Sequence, residues 1–113
     1  MSDPERKRMT AILYAACLPG IVDLARGMGY ALAVHGSLQR DFDLIAVPWI
    51  RDAQPAERLI GALAEALSCY NDPALMIDGP EVKPHGRKAW GISLGAGLSL
   101  DVSVLPITET NDR

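Results

Sequence analysis

Three aspartates carry the chemistry that this chain can do. Asp41 and Asp43 stand two residues apart at the start of the run Asp41-Phe42-Asp43-Leu44-Ile45-Ala46-Val47. In an extended strand, residues two apart point to the same face, so the two carboxylates sit side by side. Like charges at the edge of an apolar strand repel and are partly desolvated, which calls for a cation between them. Magnesium is the natural candidate, because it takes a few carboxylate oxygens together with substrate phosphates. The third aspartate lies in Leu98-Ser99-Leu100-Asp101-Val102-Ser103-Val104, where apolar and polar residues alternate. Asp101 therefore belongs to the polar face of a strand. If that strand pairs with the Asp43 strand, the three carboxylates converge and suit two-metal phosphoryl transfer, with one aspartate accepting the attacking hydroxyl's proton. The competing reading of Asp41 and Asp43 is a solvated strand start with Arg40 as counter-ion. Taken alone, Asp101 is as readily an exposed strand residue.

Gly36-Ser37 ends the preceding apolar run, and only Leu38-Gln39-Arg40 separates it from Asp41. So few residues cannot form a parallel crossover, so the two strands are antiparallel neighbours with Ser37, Asp41 and Asp43 at one end of the sheet. Residues 83–88 concentrate Lys83, Arg87, Lys88 and His85 in a chain whose formal charge is −3. They read either as a clamp for phosphates, with Lys88 as a nucleotide-binding candidate, or as a solvated surface loop. His35 reads as a packed histidine. Trp49 and Trp90 read as residues of the core or its rim, and Phe42 as core.

The elements that must position these residues follow from periodicity. Asp3 followed by Pro4 marks a helix start with Asp3 as N-cap. Met9, Ile12, Leu13, Ala16 and Cys17 then form one apolar stripe, continued beyond Pro19-Gly20 by Ile21, Leu24, Ala25 and Met28. This predicts one kinked helix or two short ones, closing at Gly27 or Gly29. A second helix buries Leu59, Ile60, Leu63 and Leu67, with Pro55 near its start and Asp52 as a possible cap. Strands are expected at 30–35 and 43–49, each buried on two faces, and at 88–94 and 98–105, joined as a hairpin through Gly95-Ala96-Gly97. Residues 78–86 read as a long loop. The expectation is a single α+β domain over 1–106, with helices on a mixed, mostly antiparallel four-stranded sheet, and a polar tail over 107–113.

A strand ending in Gly-Ser, an Asp-hydrophobic-Asp opening the next strand and an aspartate on a later one resemble the polymerase-beta-type nucleotidyltransferase superfamily, in its minimal members. The resemblance covers residues 30–105. It implies that Gly36 and Ser37 hold nucleotide phosphates and that Asp41, Asp43 and Asp101 bind two magnesium ions. The implied reaction moves a nucleotidyl group from a nucleoside triphosphate to a hydroxyl acceptor. The family carries a longer segment between Gly-Ser and the paired aspartates. With three residues here, either Arg40 assumes part of the phosphate role or the triphosphate site is reduced. The alternative is a non-catalytic nucleotide-binding or protein-interaction module on the same fold.

Length and composition bound these readings. The 113 residues suit one domain, and 49% hydrophobic with 22% charged residues is globular composition. Eleven basic against fourteen acidic residues argue against nucleic-acid binding by bulk charge. Cys17 and Cys69 read as core thiols of a reducing compartment, with no disulfide or zinc framework. Pro19, Gly20 and Pro48 interrupt the apolar runs, so no bilayer-spanning segment is expected and the setting reads as cytoplasmic. No second domain is available to hold an acceptor, so acceptor specificity would draw on a helical partner protein or a second copy of the chain.

Overall fold

The computed structural model describes residues 2–36, 38, 41–67, 76–95 and 97–107. The chain runs α1 (Asp3–Gly27), β1 (Tyr30–His35), β2 (Phe42–Pro48), α2 (Ala56–Leu67), β3 (Ile77–Val82), a short 3-10 turn (Pro84–Gly86), β4 (Lys88–Gly95) and β5 (Leu98–Val104). The α+β class is as expected, but the sheet has five strands, in the order β1-β2-β5-β4-β3. Only β2 and β5 run parallel; the other three pairings are antiparallel.

The added strand is β3, which the sequence reading gave to a loop because of Gly79-Pro80. Proline lacks a ladder donor, yet an edge strand needs none on its outer side. β3 is such an edge, and its register with β4 shifts between Asp78 and Glu81, where the proline sits.

Helix α1 is continuous rather than divided at Pro19-Gly20. Proline at 19 leaves the Ala15 carbonyl without its helical donor, and Ala15, Pro19 and Gly20 are all exposed, so water can serve it. The N-cap is Ser2, not Asp3. Its Oγ accepts from the Glu5 N–H at 3.3 Å, which caps the helix, and donates to Glu5 Oε1 at 2.9 Å. The unbroken helix is, by length and composition, long and apolar enough to cross a membrane, contrary to the sequence expectation. From Tyr14 onward it nevertheless packs into the core, through Tyr14, Ile21 and Ala25.

The strands are buried mainly on one face, with Ala89 and Ser103 the buried residues of the other. In β2, Phe42, Leu44 and Ala46 are buried, and in β5 Leu100 and Val102 are buried, while Asp101 between them is exposed. Both helices contribute to the same core: Leu59, Ile60, Leu63 and Ala64 of α2 join Tyr14, Ile21 and Ala25 of α1. With two helices for five strands, one face is covered and the other is left open. Phe42 stacks on Tyr14 with ring centroids 4.8 Å apart, and Trp90 is buried as expected. Trp49, by contrast, is 57% exposed, and Met9, Ile12 and Leu13 of the predicted stripe lie in solvent. Cys17 is a partly buried free thiol; Cys69 and the tail beyond Ile107 lie outside the described residues.

Candidate functional site on the open face

The register assembles the site. β2 pairs with β5 so that Asp43 lies directly beside Asp101, and β1 pairs with β2 so that His35 lies across from Asp43. Asp101 in turn faces Gly91, and Gly91 faces Asp78. One row therefore crosses all five strands on the open face: His35, Asp43, Asp101, Gly91, Asp78. The neighbouring row holds Asp41, just before β2, with Ser99 Oγ donating to Asp41 Oδ1 at 3.2 Å. Ser99 is itself anchored, because its backbone N–H donates to the Tyr14 hydroxyl at 3.0 Å. Helix α1 thus reaches the strand that carries Asp101 through a tyrosine stacked in the core.

The electrostatics follow from this crowding. The Asp43 carboxyl is held above the ordinary carboxylate value, first by partial burial, then by the negative charge of Asp101, with Asp41 adding in the same direction. His35 opposes the shift from across the strand pair. Among the described residues no Lys or Arg forms an ion pair with Asp41, Asp43 or Asp101. Gly36 closes the end of β1 against this carboxylate. Its φ is +93°, and a Cβ placed there would come within 2.8 Å of Asp43 Oδ2. Glycine therefore meets two needs at once, a left-handed backbone and close approach to the aspartate.

Asp43 and Asp101 are thus registered neighbours, with Gly36 against Asp43 and Asp41 linked to β5 through Ser99; Ser37 and Arg40 lie outside the described residues. Lys88 does not join them. It opens β4 opposite Val104, three positions along the strand from Gly91 and on the other face, and its Nζ donates to Glu57 Oε1 at 3.3 Å. That pairing, with the Glu57 backbone N–H, keeps the Glu57 carboxyl below its ordinary value. Arg87 of the same basic stretch turns instead to the open face, where its guanidinium donates to Ser103 Oγ at 3.1 Å. No group of three or more His, Cys, Asp or Glu side chains is arranged to hold a metal ion among the described residues. The carboxylates lie as registered neighbours, a donor set that suits magnesium only when waters and phosphate oxygens complete the shell.

Sequence reasoning missed three contributors. His35 is exposed beside Asp43 rather than packed; its parity in β1, alternate to Val34, was the available signal. Ser99 shares Asp101's parity in β5 and was legible in the same way. Asp78 was hidden by the loop reading of β3. A groove of about 370 Å³ opens between β3 and β5, with Asp78, Glu81 and Asp101 on its walls and Gly91 on its floor. No family model, curated protein or solved structure matches the chain.

Proposed function

We propose that the chain is a minimal nucleotidyltransferase-fold protein that moves a nucleotidyl group from a nucleoside triphosphate to a hydroxyl acceptor. The observation that supports this reading is the registered pair Asp43–Asp101 with Asp41 beside it, a crowded acidic site in which no Lys or Arg among the described residues forms an ion pair with these three. Asp41, Asp43 and Asp101 would hold magnesium, which supplies charge neutralisation at the phosphates when bound. The acceptor hydroxyl attacks the α-phosphorus and forms the new P–O bond. The bond to the β-phosphate oxygen breaks and pyrophosphate leaves. The hydroxyl proton passes to an aspartate carboxylate. Gly36, Ser37 and Arg40 position the phosphates, and the groove beside Asp101 gives the acceptor its room.

The test is incubation of the full chain with magnesium, labelled nucleoside triphosphates and a panel of protein, RNA and small-molecule hydroxyl acceptors. Transfer with pyrophosphate release is expected, and Asp101→Asn lowers it about a hundredfold or more while part of the nucleotide affinity remains. Binding without transfer to any acceptor assigns the non-catalytic module instead. Absence of both overturns the proposal.

A further inference from the structure

The face of α1 that points away from the sheet carries an exposed apolar stripe. Tyr14, Ile21 and Ala25 face the core. On the opposite side, Met9, Ile12, Leu13, Ala16 and Gly20 recur at helical spacing, all of them exposed, with Ile12 at 62%. No other described element covers this stripe, and a Cβ at Gly20 would meet nothing within 4 Å. The stripe is graded along the helix. Its large residues lie in the N-terminal half and its small ones, Ala16 and Gly20 beside Pro19, in the C-terminal half.

The charges flanking the stripe follow the same logic. Arg8 and Arg26 are separated by five full turns, so they lie on one line along the helix. Glu5 and Asp23 have the same separation and form a second line, adjacent to the first. Each cation at one end of the stripe is thus matched by an anion at the other end. Both anion and cation are exposed at the C-terminal end, where Asp23 and Arg26 sit 3.9 Å apart.

We propose that two copies of this chain pair through the outer faces of α1, antiparallel, about a two-fold axis beside Ala15 and Ala16. In this arrangement Arg8 meets the second copy's Asp23, and Glu5 meets its Arg26. Met9, Ile12 and Leu13 of each helix lie over the stretch of the other that carries its small exposed residues Ala16, Pro19 and Gly20. A two-fold axis demands a self-complementary surface, and both size and charge satisfy it here. Parallel pairing fails the same criterion, since it would set Arg8 beside Arg8 and Met9 beside Met9. A lipid surface fits less well, because Glu5 and Asp23 stand on the side of the stripe and would enter the apolar layer. The pairing leaves the open acidic face of the sheet free, because α1 covers the other one.

Sedimentation velocity of the full chain over a concentration series tests this. The expected species has twice the 12.2 kDa chain mass. Ile12→Asp weakens the dimer about a hundredfold, with the far-UV circular dichroism of the folded chain unchanged because Ile12 supports no core contact. Arg8→Glu weakens it about tenfold, and Arg8→Glu combined with Asp23→Arg restores it. A wild type that stays monomeric, or a dimer indifferent to Ile12→Asp, overturns the proposal. So does a monomer that floats with anionic phospholipid vesicles through the same stripe, which would assign the face to a membrane.

Discussion

The two faces of the sheet are made by the same strands and obey opposite rules. Along β2, Phe42, Leu44 and Ala46 enter the core while Asp41 and Asp43 stand on the other side. Along β5, Leu100 and Val102 do the same against Ser99 and Asp101. The covered face gains from every residue it hides. The open face gathers four acidic groups, Asp41, Asp43, Asp101 and Asp78, within two adjacent rows, and partial burial with the neighbouring charges raises the Asp43 carboxyl there. A carboxyl raised in this way weakens the native state once it ionises. The covered face therefore explains why the chain folds, and the open face carries the residues on which the proposed function rests.

The sharpest way to break this comparison is to cut neighbouring residues of β2. Phe42→Ala removes a ring that is fully buried and stacked on Tyr14, and is expected to cost about 3–5 kcal/mol in chemical denaturation. Asp41→Ala, one position earlier and exposed, should stay within about 0.5 kcal/mol. Equal losses at the two positions would show that both faces carry the fold. Gly36→Ala gives a smaller effect, about 1–2 kcal/mol, because alanine must adopt φ near +93° and its methyl group meets Asp43 Oδ2. The same variant should displace Asp43, so the chemical shifts of the Asp43 carboxyl and the His35 ring should move together. A loss of stability without those shifts would limit Gly36 to a backbone role.

What was legible in the sequence divides along the same line. The alternation in β5 placed Asp101 on the polar side, and the short link before Asp41 required an antiparallel β1–β2 pair; both hold. The neighbour of Asp101 was open, because pairing between distant strands depends on where α2 and the β4–β5 hairpin pack, which periodicity does not encode. The strands were expected to be buried on both faces because Ile45 and Val47 look like core residues. The helices suffice for only one face, and Val47 is left 39% exposed. In α1 the apolar pattern runs nearly the whole helix, so pattern alone could not say that Met9, Ile12 and Leu13 extend beyond the sheet. Gly79-Pro80 concealed β3 because turn residues also occur at edges, where a missing donor costs nothing.

The smallest effect expected is the most informative about the open face, because its sign is opposite. Asp43 has its carboxyl raised in the folded protein by burial and by Asp101 and Asp41. A native carboxyl raised above its unfolded value binds protons more readily in the native state. Stability then falls as pH rises from the ordinary value of 3.8 through the raised one, and the ionised group remains a burden at neutral pH. Asp43→Asn removes that charge and should raise the melting temperature at pH 7. The advantage should shrink as pH is lowered through the same window, since the wild-type carboxyl is then neutral as well. Magnesium acts on the same repulsion from outside, so it should raise the melting temperature of the wild type more than that of Asp43→Asn. A variant less stable than wild type at pH 7 would mean that Asp43 holds the fold together through His35. The open face would then be a structural ion cluster, and the acidic row would no longer mark a site.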